Sequence, residues 1–284
     1  MEIILGKTAG FCYGVERAVS ETKKELDTGK DIYCLGEIVH NKSVIKQLEE
    51  SGIKFIDNIN DAREKIIIRA HGASKETYDI IEKKGLEVKD LTCPKVLKTH
   101  NIALEYSQKN YFIILIGIKN HPESIGTLSF CGDNSYLLQE KEEIPMLLEK
   151  VKNSKLDNIL IFAQTTYNSK KFDDISKTLK NNLQDKNAEI QKTICGATEV
   201  RQRETIEIAK EVDSMIIVGD RKSSNTNKLY DISKENCKKV LFVQNSDELE
   251  IDDLKNTNKI GIMAGASTPK EDIQEIIEKI RSNL

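Results

Sequence analysis

Three cysteines, Cys12, Cys93 and Cys195, divide the chain into nearly equal parts, and each opens the same series of polar residues. His40, His121 and Ser223 follow the three cysteines in turn, all at one identical interval. Thr165 and Ser267 follow the second and third at a longer interval, which the two again share. In the first segment His71 takes that place earlier, so this segment is shorter than the others. This repeat predicts three like modules, at 12–92, 93–194 and 195–284, with the strand in 1–11 joining the third. Each module would offer one thiolate and two polar groups to a common centre. Length alone implies about two domains, whereas units of roughly 80–100 residues lie near the lower end of domain size.

Short apolar runs rich in Ile and Val alternate with helical patterns, the signature of βα units on parallel sheets. The predicted strands are Ile3–Leu5, Ile32–Val39, Ile66–Ala70, Phe112–Ile118, Ile159–Ala163, Met215–Val218, Val240–Val243 and Ile260–Ala264. Helical spacing links Val15, Ala18, Val19, Thr22 and Leu26, and again Ile273, Ile276, Ile277, Ile280 and Leu284. The fold class is α/β.

Six of these runs lead into a hydroxyl or an imidazole: His40, His71, His121, Thr165 with Thr166, Ser223 with Ser224, and Ser267. Ligands of open α/β sheets bind beyond the carboxyl ends of the strands. Turn formation and helix capping explain any one such residue equally well. They explain less well why three of the four histidines occupy these places.

Net charge is −3, with 43 Lys plus Arg against 46 Asp plus Glu. Bulk charge therefore gives no basis for nucleic-acid binding, and an anionic substrate must be held by locally arranged donors. The start MEIILGKTAGFC lacks the features of a signal peptide. The longest apolar run, Tyr111 to Ile118, is far short of the ~20 residues of a membrane span. A cytoplasmic chain is expected, whose six cysteines are thiols or metal ligands rather than a disulfide framework.

Cys12, Cys93 and Cys195 each lie in a turn before a helical pattern, where the helix amino end favours thiolate. Cys131 has a similar turn context, Cys34 lies in a strand, and Cys237 is left open. A lone cysteine is more readily a small buried hydrophobe. No C-x-x-C occurs, which removes zinc ribbons and ferredoxin-type clusters. Three thiolates on a four-iron cluster would leave one iron open to substrate. His40, His71, His121, Ser223, Ser224, Asn225 and Ser267 form a donor set suited to phosphate or diphosphate at helix amino ends. Neither a P-loop nor a dinucleotide fingerprint accompanies them. Glu123, in His121-Pro122-Glu123, is the candidate proton donor, provided a poorly solvated pocket raises its pKa. An acid in the first turn after an N1 proline is the alternative.

These motifs resemble the family of 4-hydroxy-3-methylbut-2-enyl diphosphate reductases, iron–sulfur enzymes that end the non-mevalonate isoprenoid pathway. The resemblance spans essentially the whole chain. It rests on GFCYGV at Cys12, the IVHN segment at His40, RAHG at His71, TCP at Cys93 and NHPE–IGT at His121 and Glu123. It continues in QTT at Thr165 and Thr166, C-x-A-T-x-x-RQ from Cys195 to Gln202, SSN at Ser223–Asn225 and AGAS ending at Ser267. Tyr13 and Gly196, each following a cysteine, are small departures.

The resemblance implies three α/β modules in a pseudo-threefold, trefoil-like arrangement around a central cavity. It implies a 4Fe–4S cluster on Cys12, Cys93 and Cys195. It assigns the diphosphate to His40, His71, His121, Thr166, Ser223, Ser224, Asn225 and Ser267, places Thr198 near the substrate, and gives proton handling to Glu123 with Thr165 and His121. Ferredoxin or flavodoxin is the implied electron donor. A cluster-dependent hydratase or dehydratase, a non-catalytic iron–sulfur redox protein and a metal-dependent phosphohydrolase are the competing readings. Scarcity of Asp at the strand ends weighs against the last.

Overall fold

The computed structural model describes residues 1–283. After an opening strand, β1 (Glu2–Leu5), strands and helices alternate along the chain, and every strand pairing is parallel. One sheet joins β2 (Ile32–Leu35), β3 (Lys54–Ile56), β4 (Lys65–Ile68) and β5 (Glu87–Asp90) in the order β3-β2-β4-β5. A second joins β6 (Phe112–Ile116), β7 (Ser135–Leu138), β8 (Asn158–Ala163) and β9 (Asn187–Gln191) in the order β7-β6-β8-β9. The third joins β10 (Ser214–Val218), β11 (Lys239–Val243) and β12 (Lys259–Ala264) with β1, in the order β11-β10-β12-β1. Strand for strand the three orders are the same. The amino-terminal strand holds the place that β5 and β9 hold in the other two sheets.

Ten α-helices connect or flank the strands among the described residues. They are α1 (Tyr13–Leu26), α2 (Lys42–Glu50), α3 (Lys75–Lys84), α4 (Pro94–Gln108), α5 (Pro122–Ser129), α6 (Ile144–Ser154), α7 (Ser169–Asn182), α8 (Gly196–Glu211), α9 (Ser224–Asn236) and α10 (Lys270–Asn283). None is long and apolar enough to cross a membrane. By packing, the chain forms two compact units. One contains residues 1–19, 39–51 and 196 onward, including the third sheet; the other contains 20–38 and 52–195, with the first two sheets.

The central strands are apolar on both faces because each face is covered. In the second sheet Ile114, Ile116, Ile161 and Ala163 pack with Leu147 of α6 and Phe172 and Ile175 of α7. Their neighbours Ile113, Leu115, Leu160 and Phe162 point to the other face, where Ala103 of α4 lies. The third sheet repeats this, with Ile273, Ile276, Ile277 and Ile280 of α10 on one face and Ile208 of α8 and Leu229 of α9 on the other. Leu284, which the sequence pattern adds to the α10 stripe, lies outside the described residues. Burying one such Ile or Leu side chain contributes about 1.5–3 kcal/mol.

The structure corrects the sequence reading in two respects. First, the runs predicted as Ile32–Val39, Ile66–Ala70 and Phe112–Ile118 end as strands at Leu35, Ile68 and Ile116. Gly36 stops the first of them, with φ +68 and an Arg69 guanidinium that would stand 2.6 Å from any added Cβ. The remaining apolar residues belong to the turns that carry the polar groups. Second, β3, β5, β7 and β9 are strands that the sequence pattern does not predict. All four are edges of their sheets. An edge strand is half-solvated and tolerates charge, so sequences such as EVKD carry no strand signal.

Candidate functional site

Each cysteine of the repeat follows the edge strand that closes its sheet and stands at the start of a helix. Cys93 is the N-cap of α4, and its carbonyl accepts from Leu97 N–H at 2.9 Å. Cys12 precedes α1 and accepts in the same way from Glu16 N–H at 2.9 Å, while Cys195 directly precedes Gly196 of α8. The N–H of each cysteine is tied to the turn beyond the neighbouring strand. Cys93 donates to Ala70 O at 3.0 Å, beside His71. Cys195 donates to Thr165 O at 2.9 Å, and Cys12 to Ala266 O at 3.2 Å, beside Ser267. This recurring backbone hydrogen bond ties each cysteine to a different polar turn from the one that follows it at the repeated interval: Cys93 to the turn of His71, Cys195 to that of Thr165 and Cys12 to that of Ser267.

No disulfide joins the six cysteines among the described residues. Cys12, Cys93 and Cys195 are half-buried, whereas Cys34, Cys131 and Cys237 are buried. Burial pushes the Cys34 thiol up to about 12 despite the nearby Arg69 charge, and pushes Cys131 to about 12 as well. Cys131 does not share the context of the three: it lies past the carboxyl end of α5, with Sγ donating to Thr127 O at 3.4 Å. Cys237 donates to main-chain carbonyls, that of Lys239 at 3.3 Å. Only the three helix-start cysteines leave their sulfur accessible to a ligand. They fit a soft metal centre; the buried three do not.

Glu123 is 2% exposed, in the first turn of α5, and both its oxygens are held by one residue. Thr165 N–H donates to Oε1 at 2.6 Å, and Thr165 Oγ1–H donates to Oε2 at 2.9 Å. Burial drives the carboxyl pKa up to about 7, although both Thr165 hydrogen bonds pull it down. His121, the N-cap of α5, accepts the Glu123 N–H on Nδ1 at 3.1 Å, which leaves the proton of a neutral ring on Nε2. The His71 ring meets that of His121 edge-on, with centroids 5.4 Å apart. His71, His121, Glu123 and Thr165 therefore gather at the carboxyl ends of β4, β6 and β8.

Gln164 supports this group, a role that sequence reasoning does not assign to it. Its Oε1 accepts from Ile118 N–H at 2.9 Å and Ser124 Oγ at 3.2 Å, and its Nε2 donates to Thr166 Oγ1 at 3.0 Å. The available signal is a polar residue ending a buried run, ILIFAQ. His100, the fourth histidine, likewise has no role in the sequence reading. It is 4% exposed, and burial lowers its pKa to about 4. It packs under the turn after His71, where a Cβ on Gly72 would stand 2.7 Å from its Cε1.

The remaining donors lie in the other unit. Ser267 Oγ donates to His40 O at 2.7 Å. Ser223 caps α9 by accepting Thr226 N–H at 3.3 Å, so its capping role is real. Ser224 and Asn225 are buried in the first turn of that helix, and Thr198 is buried in the first turn of α8. Asn225 Nδ2 is buried and has no hydrogen-bond partner among the described residues. A Cβ on Gly265 would stand 2.0 Å from Thr226 Oγ1, and one on Gly219 2.7 Å from Thr268 Oγ1. The turns bearing Ser223–Asn225 and Ser267 are pressed together at these glycines. A buried amide donor at a helix amino end suits an anionic ligand.

The profile of the LytB protein family matches residues 3–281. The chain is 41% identical over 288 residues to the 4-hydroxy-3-methylbut-2-enyl diphosphate reductase of Caldanaerobacter subterraneus subsp. tengcongensis, covering 99% of this chain and 97% of that protein. It is 38% identical over 289 residues to the protein of the same name from Alkaliphilus oremlandii, covering 99% and 100%. It also resembles the solved structure of the E-1-hydroxy-2-methyl-but-2-enyl-4-diphosphate reductase from Plasmodium falciparum, with TM-score 0.88, 33% identity, and 98% and 87% coverage. A second solved structure, an (E)-4-hydroxy-3-methyl-but-2-enyl diphosphate reductase described as the terminal enzyme of the non-mevalonate pathway, matches with TM-score 0.70, 34% identity, and 99% and 100% coverage.

Proposed function

This chain belongs to the LytB protein family, and on that premise we propose that it reductively dehydroxylates 4-hydroxy-3-methylbut-2-enyl diphosphate to isopentenyl and dimethylallyl diphosphate. The observation that carries the chemistry is Glu123, a buried carboxyl whose pKa of about 7 lets it hold a proton at neutral pH. Breaking an allylic C–O bond reductively needs a proton at the departing oxygen, and a group titrating near the working pH supplies one efficiently.

Cys12, Cys93 and Cys195 would hold a 4Fe–4S cluster, one ligand from each of the modules 12–92, 93–194 and 195–284. Their half-burial at helix starts, the thiol-favouring burial of Cys34 and Cys131, and the burial of Cys237 support this set. Held by these residues, such a cluster would relay electrons from the external donor and would offer a Lewis-acidic iron.

The chain's own groups do the rest. His40, His71, His121, Thr166, Ser223, Ser224, Asn225 and Ser267 bind and orient the diphosphate through hydrogen-bond donors at strand ends and helix amino ends, with Thr198 beside the substrate. His121 presents Nε2–H because Nδ1 is engaged by Glu123 N–H. Glu123 delivers its proton to the leaving hydroxyl. Thr165 fixes the carboxyl from two sides and orients that hydroxyl. Ferredoxin or flavodoxin in the cytoplasm would be the source of electrons, as the family resemblance implies.

Protein purified without oxygen and given the allylic diphosphate with a chemical reductant tests this reading. Two electrons consumed per product are expected. Product formed without consumption of reductant would overturn it in favour of a dehydration.

A further inference from the structure

The stretches leading from each edge strand to its cysteine differ in length. Two residues, 91–92, separate β5 from Cys93, and three, 192–194, separate β9 from Cys195. Six residues, 6–11, separate β1 from Cys12. The two short links have their own hydrogen bonds: Thr92 N–H donates to Asp90 Oδ1 at 2.8 Å within its link, and Thr193 Oγ1 donates to Ala163 O at the end of the neighbouring strand. The long link contains Gly6 and Gly10, and Gly10 has φ +99. A longer, glycine-bearing link has more conformations to lose when its cysteine is placed.

Two residues of α8 take hold of that link. Arg201, 4% exposed, donates from Nε to Thr8 O at 2.8 Å and from Nη2 to Gly10 O at 2.6 Å. One helical turn on, Glu204 accepts from Lys7 N–H at 2.6 Å, from Thr8 N–H at 3.0 Å and from Thr8 Oγ1. Burial pushes the Glu204 carboxyl up, but those Thr8 and Lys7 hydrogen bonds and the Arg201 charge outweigh it, so its pKa lies below the usual range. Five hydrogen bonds to charged groups thus fall on residues 7–10, and none of them falls on Cys12 itself.

We propose that Arg201 and Glu204 are positioning residues for Cys12: they clamp residues 7–10 so that the Cys12 sulfur is in place before metal binds. The Arg of the C-x-A-T-x-x-RQ motif thereby acquires a task distinct from substrate binding. The planar guanidinium reaches the two carbonyls from separate nitrogens, Nε and Nη2, a fixed fork that the single nitrogen of a lysine does not reproduce. The clamp offsets the additional ordering cost of the longer link. This rests on the assignment of Cys12 as a metal ligand.

Amide hydrogen exchange and Cys12 alkylation of metal-free Arg201→Met, Arg201→Lys and Glu204→Gln proteins, with iron release to a chelator from the loaded forms, test the clamp. Loss of a charge-assisted hydrogen bond should speed exchange at residues 7–12 by about tenfold. Exchange at 91–93 and 192–195 should stay as in the unchanged protein, iron should leave faster, and Arg201→Lys should fall between. Unchanged exchange at 7–12, or exchange raised uniformly over the chain as in general destabilisation, would overturn the proposal. If Arg201→Met does not fold, Glu204→Gln attacks the same link from the acceptor side and decides alone. Full iron retention in Cys12→Ser would refute the ligand assignment while leaving the exchange result to judge the clamp.

Discussion

Thr165 donates to both carboxylate oxygens of Glu123, through its amide N–H at 2.6 Å and its hydroxyl at 2.9 Å, while its own carbonyl accepts the Cys195 N–H at 2.9 Å. One residue thus connects the proton-holding carboxyl to the backbone of a cysteine proposed as metal ligand. A shift of the turn after β8 would disturb both together.

The raised pKa of Glu123 has a consequence for folding. In the unfolded chain this carboxyl loses its proton near 4.5; in the folded protein it keeps it to about 7. Between those values the folded state binds more protons, so stability falls as pH rises and levels off above about 7. The window amounts to about 3 kcal/mol at ~1.4 kcal/mol per pH unit. Denaturant melts of the metal-free protein across this range should show that slope, and Glu123→Gln should flatten it. Parallel curves for the two proteins would contradict the raised pKa.

In the loaded enzyme Glu123→Gln should keep metal and substrate binding yet lower turnover by about 10²-fold or more, the usual contribution of a general acid. Near-normal turnover would remove Glu123 from the proton-donor role.

Thr165→Val keeps the amide hydrogen bond and deletes the hydroxyl one. Since that hydrogen bond pulls the Glu123 pKa down against burial, its loss should move the alkaline limb of the turnover–pH profile to higher pH. A limb that stays in place or moves to lower pH would show that the hydroxyl does not tune Glu123.

Serine at Cys12, Cys93 or Cys195 should strip iron and sulfide from the protein, whereas alanine at the buried Cys131 should leave both in place at some cost in stability. Metal and sulfide analysis with Mössbauer spectra distinguishes the cases. A full four-iron signal in Cys93→Ser would refute Cys93 as a ligand.

Asn225 Nδ2 meets no acceptor among the described residues, so Asn225→Ala should cost the empty protein little. It should instead weaken inorganic diphosphate, read by calorimetry, by about tenfold, the value of a hydrogen bond to a charged group. A large loss of thermal stability with unchanged diphosphate affinity would make Asn225 structural.

Much of the fold and site was legible because it is written locally. The central strands show as runs such as Phe112–Ile116 and Ile159–Ala163, since burial on both faces demands apolar residues throughout. Polar groups ending those runs mark the carboxyl ends of the strands, and repeated intervals after Cys12, Cys93 and Cys195 mark the modular pattern. Other features depend on partners distant in the chain. The edge strands β3, β5, β7 and β9 take their structure from a neighbour's hydrogen bonds rather than from their own composition. Cys131 and Cys93 both sit in turns, yet burial makes one an inert thiol and a helix start exposes the other. Likewise, His-Pro-Glu announces an acid in a first helical turn, but its pKa was decided by enclosure and by Thr165, far along the chain. Sequence alone determined which groups stand at the strand ends, because periodicity and turn chemistry are local; tertiary structure decided which of them are charged, reactive or held, because desolvation and long-range hydrogen bonds are not.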